Sequence, residues 1–238
     1  MGLMTRRGAT AQTEDACQVI IANTPALIKE CLQLRHQVYC LEKGYFEPTA
    51  QGQETDEHDQ NARHILLKHR DSDEAIGTAR IVILNAYQKI GDLPMAHVCP
   101  PGLLRALPPN MTGEVSRVAV SKLRRSGMGA GRMMRLGLFQ GIVRLSTELG
   151  LTHWAAIMEP MLHRLLTMDS LHFRSLGPLV EYHGLRQPTY SHIETCMSQL
   201  RDERPDIWDY ITLEGSLLKP RTPARVWEPM HELALELA

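Results

Sequence analysis

The fold is predicted mainly from the segment GEVSRVAVSKLRRSGMG, at residues 113–129. Its first half is typical of a strand, and its second half is a basic, glycine-rich turn that leads into a long helix. Such a turn presents backbone N–H groups, and the dipole of the following helix favours negative charge there. Glu114, Ser116 and Arg117 occupy positions where a buried strand normally carries valine. The stretch therefore predicts a phosphate-binding turn beside an active site that handles a phosphate-bearing carrier.

Within the turn, Arg124, Gly127 and Gly129 form the pattern R-x-x-G-x-G. Glycines allow the backbone to turn its amides towards a ligand. Many glycine turns before a helix produce this pattern, but the Val-Ala-Val strand in front of it makes it more specific. Together they resemble the pyrophosphate loop of the Gcn5-related N-acyltransferase (GNAT) fold. The resemblance implies that these three residues hold the phosphate of coenzyme A or of carrier-protein pantetheine, and that the backbone of Val118 and Val120 lines the pantetheine arm.

The overall composition is that of one ordinary globular domain. The chain has 238 residues, 43% of them hydrophobic, and a net charge of −1, so nothing indicates a general affinity for nucleic acid or an anionic membrane. We find no signal peptide and no apolar run near the ~20 residues of a membrane span. The five cysteines show no zinc-type spacing and are expected to be reduced thiols. We expect a cytoplasmic protein without a bound metal or a bound cofactor.

The order of predicted elements indicates an α/β fold with a mixed central sheet flanked by helices. We expect a disordered tail at 1–16, the main domain at 17–215, and a tail or short helix at 216–238. A proline-rich connection, 85–112, separates a predicted hairpin from later alternating elements. The predicted strands are 18–23, 63–69, 75–84, 113–121, 151–158 and 171–183, and the predicted helices are 25–43, 128–149, 161–168 and 193–203.

Charged residues lie inside elements that are otherwise apolar. Arg35 shares one helix face with apolar residues, and Arg80 lies in an apolar strand, so each needs a carboxylate partner if it is buried. Asp56, Asp59 and Glu114 can reach them only through the fold. Buried pairs of this kind can also be purely structural, and that interpretation stays open for each residue alone. A regular strand at 113–121 would place Glu114 and Ser116 on one face and Arg117 on the other.

Four motifs in order resemble the acyl-homoserine lactone synthases, a branch of the same fold that takes acyl chains from acyl carrier protein. They are Leu34-Arg35-x-x-Val38-Tyr39, Glu54-x-Asp56-x-x-Asp59, Gly77-Thr78-Ala79-Arg80 and Gly113-Glu114-Val115-Ser116-Arg117. The resemblance spans about residues 18–190.

Two segments favour other relatives within that branch. Tyr45 follows Gly44 where the lactone synthases typically have tryptophan. Residues 40–45 and 177–188 look more like the N-acyl amino acid synthases and the acyltransferases associated with exosortase protein-sorting systems. We therefore expect the acceptor to be an amino acid or another small amine rather than S-adenosylmethionine. The alternatives are lactone synthesis from S-adenosylmethionine, acetyl transfer from coenzyme A, and a non-catalytic domain that binds lipid or carrier protein.

The resemblance also implies roles for individual residues. Glu114 would be the general base, since an ammonium must lose a proton before it can attack a thioester. Ser116 and Arg117 complete the predicted catalytic set: Arg117 would fix a loop by pairing with a carboxylate. A backbone N–H within 117–120 would stabilise the tetrahedral oxyanion. The donor would be an acyl-phosphopantetheine, on acyl carrier protein as partner, or an acyl-coenzyme A. The residues expected to shape the acyl and acceptor pockets are Arg35, Tyr39, Tyr45, Asp56, Asp59 and Arg80.

Overall fold

The structure is a computed structural model that describes residues 16–84, 87–124 and 131–219. These residues group into two compact units. The first unit contains the described residues within Met1–Thr55, His64–Ala79 and Arg117–Gly141. The second unit contains those within Asp56–Arg63, Arg80–Ser116 and Ile142–Ala238. The predicted tails, residues 1–16 and 216–238, lie largely outside the described residues, and the expectation of a single domain stays a prediction.

Among the described residues, eight strands form a mixed sheet, which confirms the predicted fold class. They pair in the order β1-β2-β3-β4-β5-β8-β6, with β7 paired to β8. β1 and β2 are antiparallel, β4 and β5 are parallel, and β8 is antiparallel to β5, β6 and β7. The strands are β1 Cys17–Ala22, β2 Ala62–His69, β3 Ala75–Val82, β4 Thr112–Val120, β5 His153–Met158, β6 Arg174–Ser175, β7 Val180–Glu181 and β8 Leu185–His192.

Helix α1 begins as the sequence predicts. The Thr24 hydroxyl accepts a hydrogen bond from the Leu27 N–H, and Pro25 occupies the first turn, where its missing N–H has no cost. The helix continues beyond Arg35 as a π-helical segment, His36–Glu42. None of the helices among the described residues has both the length and the hydropathy of a membrane span. The α-helices are α1 Pro25–Arg35, α2 Pro101–Leu104, α3 Gly131–Glu148, α4 Pro160–Met168, α5 Ile193–Glu203 and α6 Pro205–Thr212.

Short 3-10 turns fill the irregular parts of the chain. They are Glu57–Asn61, Ile90–Asp92, Pro94–His97, Pro109–Met111 and Ser216–Leu218. Three of them lie in the proline-rich connection between β3 and β4, as expected from its prolines. The first two of these three pack over the second unit's core, to which Leu93, Met95 and Cys99 contribute buried side chains. This packing fixes the described part of the connection, residues 87–111, although that part contains no strand.

Strand β4 carries the residues of greatest interest, and it is not regular. A side chain at Gly113 would lie 2.7 Å from Ile81 Cγ2 and 2.6 Å from Leu151 Cδ1, so only glycine fits there. Arg117 has φ +52°, in the left-handed region, which breaks the alternation of side chains along the strand. The expectation of a regular strand over 113–121 is therefore wrong at Arg117.

One predicted strand is also wrong. Residues 171–183 contain only the two-residue strands β6 and β7, and the long strand of this region is β8. The buried residues of β8 include Thr189 and Ser191, whose hydroxyls donate to the Ala156 and His172 carbonyls. Pro188 lies in the same strand, opposite Ile157 of β5. Hydrophobic alternation fails to find β8 because two of its three buried side chains, those of Thr189 and Ser191, are polar and have internal partners.

Candidate functional site

In the first unit, Glu54 joins two arginines far apart in sequence. Its carboxylate accepts from Arg35 Nε at 2.6 Å and from Arg117 Nη2 at 2.9 Å. We call Arg35, Glu54 and Arg117 the Glu54 cluster. Arg35 is fully buried, Glu54 is nearly so, and the Arg117 side chain is 18% exposed. Burial raises the pKa of the Glu54 carboxyl, but the two guanidinium groups outweigh this and hold its pKa below the usual range.

Aromatic rings surround the exposed end of this cluster. The Arg117 guanidinium carbon lies 5.7 Å from the Tyr39 ring centre and 5.3 Å from that of Phe46, within cation–π distance. Lys43 Nζ lies 5.0 Å from the Tyr45 ring. The Tyr39 hydroxyl donates to the Val118 carbonyl at 3.3 Å. The structure thus brings Tyr39 and Tyr45 together with Arg117, which the sequence placed on different elements.

The turn after β4 is held by a glutamate that sequence reasoning missed. Glu42 accepts from the Ser121 hydroxyl and, at 2.8 Å, from the Lys122 N–H. Burial raises the pKa of Glu42, and these hydrogen bonds bring it below the usual range. Arg124 donates to the Ala75 carbonyl at 3.1 Å and lies 3.7 Å from Glu74. Gly127 and Gly129 lie outside the described residues, so their phosphate-binding role stays a prediction.

In the second unit, Arg80 binds two carboxylates at once. Its Nη1 donates to Asp56 Oδ1 at 2.6 Å and to Asp59 Oδ1 at 2.7 Å, and its Nη2 donates to Asp56 Oδ2 at 2.9 Å. Its Nε donates to the Ser116 hydroxyl at 3.1 Å. We call Asp56, Asp59, Arg80 and Ser116 the Arg80 cluster. Arg80 is 1% exposed, and both aspartates are partly accessible.

The two aspartates are oriented by the turn that they begin. The Asp56 side chain accepts from the His58 N–H, and Asp59 Oδ2 accepts from the Asp56 N–H at 2.8 Å. This is a reciprocal capping arrangement for the turn Glu57–Asn61. The pattern D-x-x-D therefore explains locally why both carboxylates reach the same arginine.

Glu114 lies where β4 and β5 separate. The two strands pair from Thr112 opposite His153 to Glu114 opposite Ala155. Beyond that point β5 continues to pair with β8, whereas Val115 and Ser116 of the same unit do not pair with β5. Glu114 is 1% exposed, and its Oε2 accepts from the Met95 N–H at 2.8 Å. A buried carboxylate at such a fork is suited to take a proton from a group that enters between the strands.

Within each unit the structure brings a set of the predicted residues together. Arg35, Tyr39, Tyr45 and Arg117 belong to the first unit, and Asp56, Asp59, Arg80, Glu114 and Ser116 belong to the second. The residues that the sequence analysis missed are Glu54 and Glu42. Glu54 stands at the head of the acidic motif Glu54-x-Asp56-x-x-Asp59, which was the available signal.

Comparison with known proteins agrees with this fold. A family model described as "Acetyltransferase (GNAT) domain" matches residues 34–135. None of the curated proteins matches the chain. The described fold is that of the GNAT acyltransferases, and the domain match indicates an acyltransferase, as the sequence analysis predicted.

Several solved structures share the fold at low sequence identity. The AHL synthase LasI is 19% identical, with a TM-score of 0.58 over 73% of this chain and 88% of its own. BjaI, a CoA-dependent acyl-homoserine lactone synthase, is 17% identical, with a TM-score of 0.59 over 92% of this chain and 99% of its own. FeeM, an N-acyl amino acid synthase from uncultured soil microbes, is 17% identical, with a TM-score of 0.56 over 77% and 93%. These neighbours belong to the branch that the sequence motifs predicted.

Proposed function

We propose that this protein transfers a fatty acyl chain from a pantetheine thioester to the amine of an amino acid or a similar small amine. The observation that carries the proposal is the placement of Glu114, a buried carboxylate at the point where β4 and β5 stop pairing. Backbone groups that a strand does not use for pairing can bind an extended ligand. An acyl-pantetheine arm is such a ligand, and its thioester carbonyl would lie at the fork.

The chemistry requires one base and no covalent intermediate. The hydrogen bond from the Met95 N–H to Oε2 orients the Glu114 carboxylate, which would accept a proton from the ammonium. The neutral amine then attacks the thioester carbonyl, the new C–N bond forms, and the C–S bond breaks. The pantetheine sulfur leaves and is protonated to the thiol. A backbone N–H within 117–120 is our candidate for stabilising the tetrahedral oxyanion.

The choice of donor follows from the resemblance to the synthases. We propose acyl carrier protein as the donor, with the R-x-x-G-x-G turn holding its phosphate. BjaI, which shares the fold, is a CoA-dependent synthase, so acyl-coenzyme A is the alternative donor. We propose a cytoplasmic location, where both donors are made.

A second candidate function is lactone synthesis with S-adenosylmethionine as acceptor. It is favoured by the fold shared with LasI and BjaI, the latter solved with SAM and isopentyl-CoA. Tyr45 and the resemblance of residues 177–188 to the amino acid synthases are our reasons for placing it second.

The experiment that separates these functions crosses donors with acceptors. Purified full-length protein would be incubated with acyl carrier protein or coenzyme A carrying the same acyl chain. Each donor would be offered to the twenty amino acids and, separately, to S-adenosylmethionine, with products identified by mass spectrometry. We expect an N-acyl amino acid. An acyl-homoserine lactone as the sole product would establish the second candidate, and no amide product with any pair would refute both.

The Glu114→Gln variant tests the base, with Glu148→Gln as the control. Glutamine at position 114 can still accept from the Met95 N–H, so β4 should remain in place. Glu148 is a suitable control because it pairs with Arg144 on the surface of α3. We expect Glu114→Gln to lower kcat by at least about 100-fold with unchanged donor binding, and the control to be unaffected. Equal kcat for the two variants would exclude Glu114 as the base.

A further inference from the structure

Two turns of the second unit bring together three side chains of the types that bind metal ions. Glu57 and His58 lie in the turn Glu57–Asn61, and His97 ends the turn Pro94–His97. One ligand atom from each lies within 4.8 Å of the others, and this is the one such group of three among the residues that the structure describes. None of the three has a part in the acyl transfer proposed above.

The distances fit a transition-metal ion. Glu57 Oε1 lies 3.7 Å from His58 Nε2 and 3.9 Å from His97 Nε2. In tetrahedral zinc sites the ligand atoms lie about 2.0–2.1 Å from the metal, and therefore about 3.3 Å from one another. The observed distances are slightly longer, and the exposed side chains of Glu57 and His97 can rotate to close them.

The chemistry of the three ligands is also suitable. Two imidazoles and one carboxylate are the ligands that zinc takes in sites that retain an open position for water. The 16% exposure of its side chain makes His58 the rigid member of the set.

We propose that Glu57, His58 and His97 bind a divalent transition-metal ion, with Zn²⁺ the best match, and that this ion links the turn 57–61 to the turn 94–97. Each turn also holds one part of the candidate site. Asp56, which begins the first turn, binds Arg80, and Met95 in the second turn donates to Glu114. A metal that joins the two turns would therefore stabilise the positions of Arg80 and Glu114 together.

The first test measures binding of Zn²⁺ alone. Full-length protein without an affinity tag would be titrated by calorimetry, and Co²⁺ would be added separately to record its visible absorption. The variant is His97→Gln, and the control is His172→Gln. His172 is a suitable control because it is also a partly exposed histidine beside a glutamate, 2.9 Å from Glu203.

We expect one Zn²⁺ per chain in the wild type and in His172→Gln, and at least tenfold weaker binding in His97→Gln. His97 is exposed, so the variant should fold, and equal Tm values without metal would verify this. Binding in His97→Gln that equals the wild type, or no saturable binding by the wild type, would overturn the proposal.

The second test concerns the link between the turns. Hydrogen exchange would be measured with and without Zn²⁺ for the wild type and for His97→Gln. We expect the metal to slow exchange of the amides in 57–61 and 94–97, including the Met95 N–H, in the wild type alone. Unchanged exchange despite Zn²⁺ binding would refute the link. Neither test uses acyl transfer, so each outcome is independent of the proposed function.

Discussion

The Glu54 cluster places one carboxylate between two guanidinium groups, whereas the Arg80 cluster places one guanidinium between two carboxylates. The first set therefore has an excess of positive charge, and the second has an excess of negative charge. Aromatic rings face the exposed cation of the first set. Backbone N–H groups donate to the carboxylates of the second. Aromatic rings stabilise a cation, and N–H donors stabilise an anion. Each cluster therefore has the surroundings that suit the charge it has in excess.

Solvent exposure distinguishes the two clusters further. Arg35 has no exposed side-chain surface, and the Glu54 side chain is only 7% exposed. In the Arg80 cluster the arginine is equally buried, but the side chains of Asp56 and Asp59 are 24% and 15% exposed. Water can therefore replace part of a lost interaction in the second cluster and much less in the first. The Glu54 cluster should therefore be the more sensitive to loss of its central ion.

The largest expected effect is that of Glu54→Gln. The change removes the charge that Arg35 and Arg117 share and leaves two nearby cations, one of them fully buried. We expect the free energy of unfolding to fall by about 4 kcal/mol, measured by urea denaturation at neutral pH. Glu47→Gln is the control, because Glu47 is an exposed carboxylate of the same segment. A Glu54→Gln protein as stable as this control would show that the cluster does not stabilise the fold.

Arg80→Met should have the next largest effect. It removes the guanidinium that Asp56 and Asp59 share, but both carboxylates retain contact with water and with backbone N–H groups. We expect the free energy of unfolding to fall by about 3 kcal/mol in the same urea experiment. Arg105→Met, at an exposed arginine of the same unit, is the control. If Arg80→Met proved more destabilising than Glu54→Gln, the comparison based on exposure would be wrong.

Periodicity and capping explain how much of this architecture the sequence predicts. Arg35 lies on the buried face of α1 with Ile28 and Leu32, so helical spacing alone indicates that it is buried. The strands β2, β3 and β5 are also predicted, because each is a short apolar run. The strand β8 is missed because Thr189 and Ser191 fill buried positions and satisfy their hydroxyls internally.

The partner of each arginine is harder to predict than its burial. Asp56 and Asp59 are joined by a local capping pattern, which turns both towards Arg80. Glu54 lies just before that pattern, and its N–H donates to the Leu32 carbonyl, which ties it to α1 instead. Of these three acidic residues within six positions, Glu54 pairs with Arg35 and Arg117, and the two aspartates pair with Arg80. Only tertiary contacts decide this division.

The geometry of Arg117 also escapes sequence reasoning. Its left-handed φ breaks the alternation along β4, and a bulky residue rarely adopts that conformation. The three hydrogen bonds to Glu54 and the rings of Tyr39 and Phe46 hold it there. Backbone irregularities of this kind are often found at functional sites, and the part of Arg117 in catalysis stays a prediction.

The pH dependence of stability offers a finer test of the Glu54 cluster. The folded-state pKa of Glu54 lies below its usual value of 4.5, so its contribution to stability is present above that value and is lost as pH falls through the folded pKa. The wild type should therefore exceed Glu54→Gln by a constant free energy from about pH 7 to about pH 5, and by less at lower pH. Urea denaturation along a pH series measures this difference. A difference that grew on acidification would contradict the assigned direction.

The smallest effect is expected for Asp59→Asn in the Arg80 cluster. Asp59 accepts from Arg80 through one oxygen and from the Asp56 N–H through the other, and asparagine keeps only one acceptor. Asp56 still binds Arg80 through both oxygens, so we expect the free energy of unfolding to fall by only about 1 kcal/mol. Asp56→Asn should lower the free energy of unfolding by more, because it weakens both the paired contact with Arg80 and the cap of the turn Glu57–Asn61. The reverse order would mean that the hydrogen bond that Asp59 accepts from the Asp56 N–H, rather than the ion pairs with Arg80, determines the stability of this cluster.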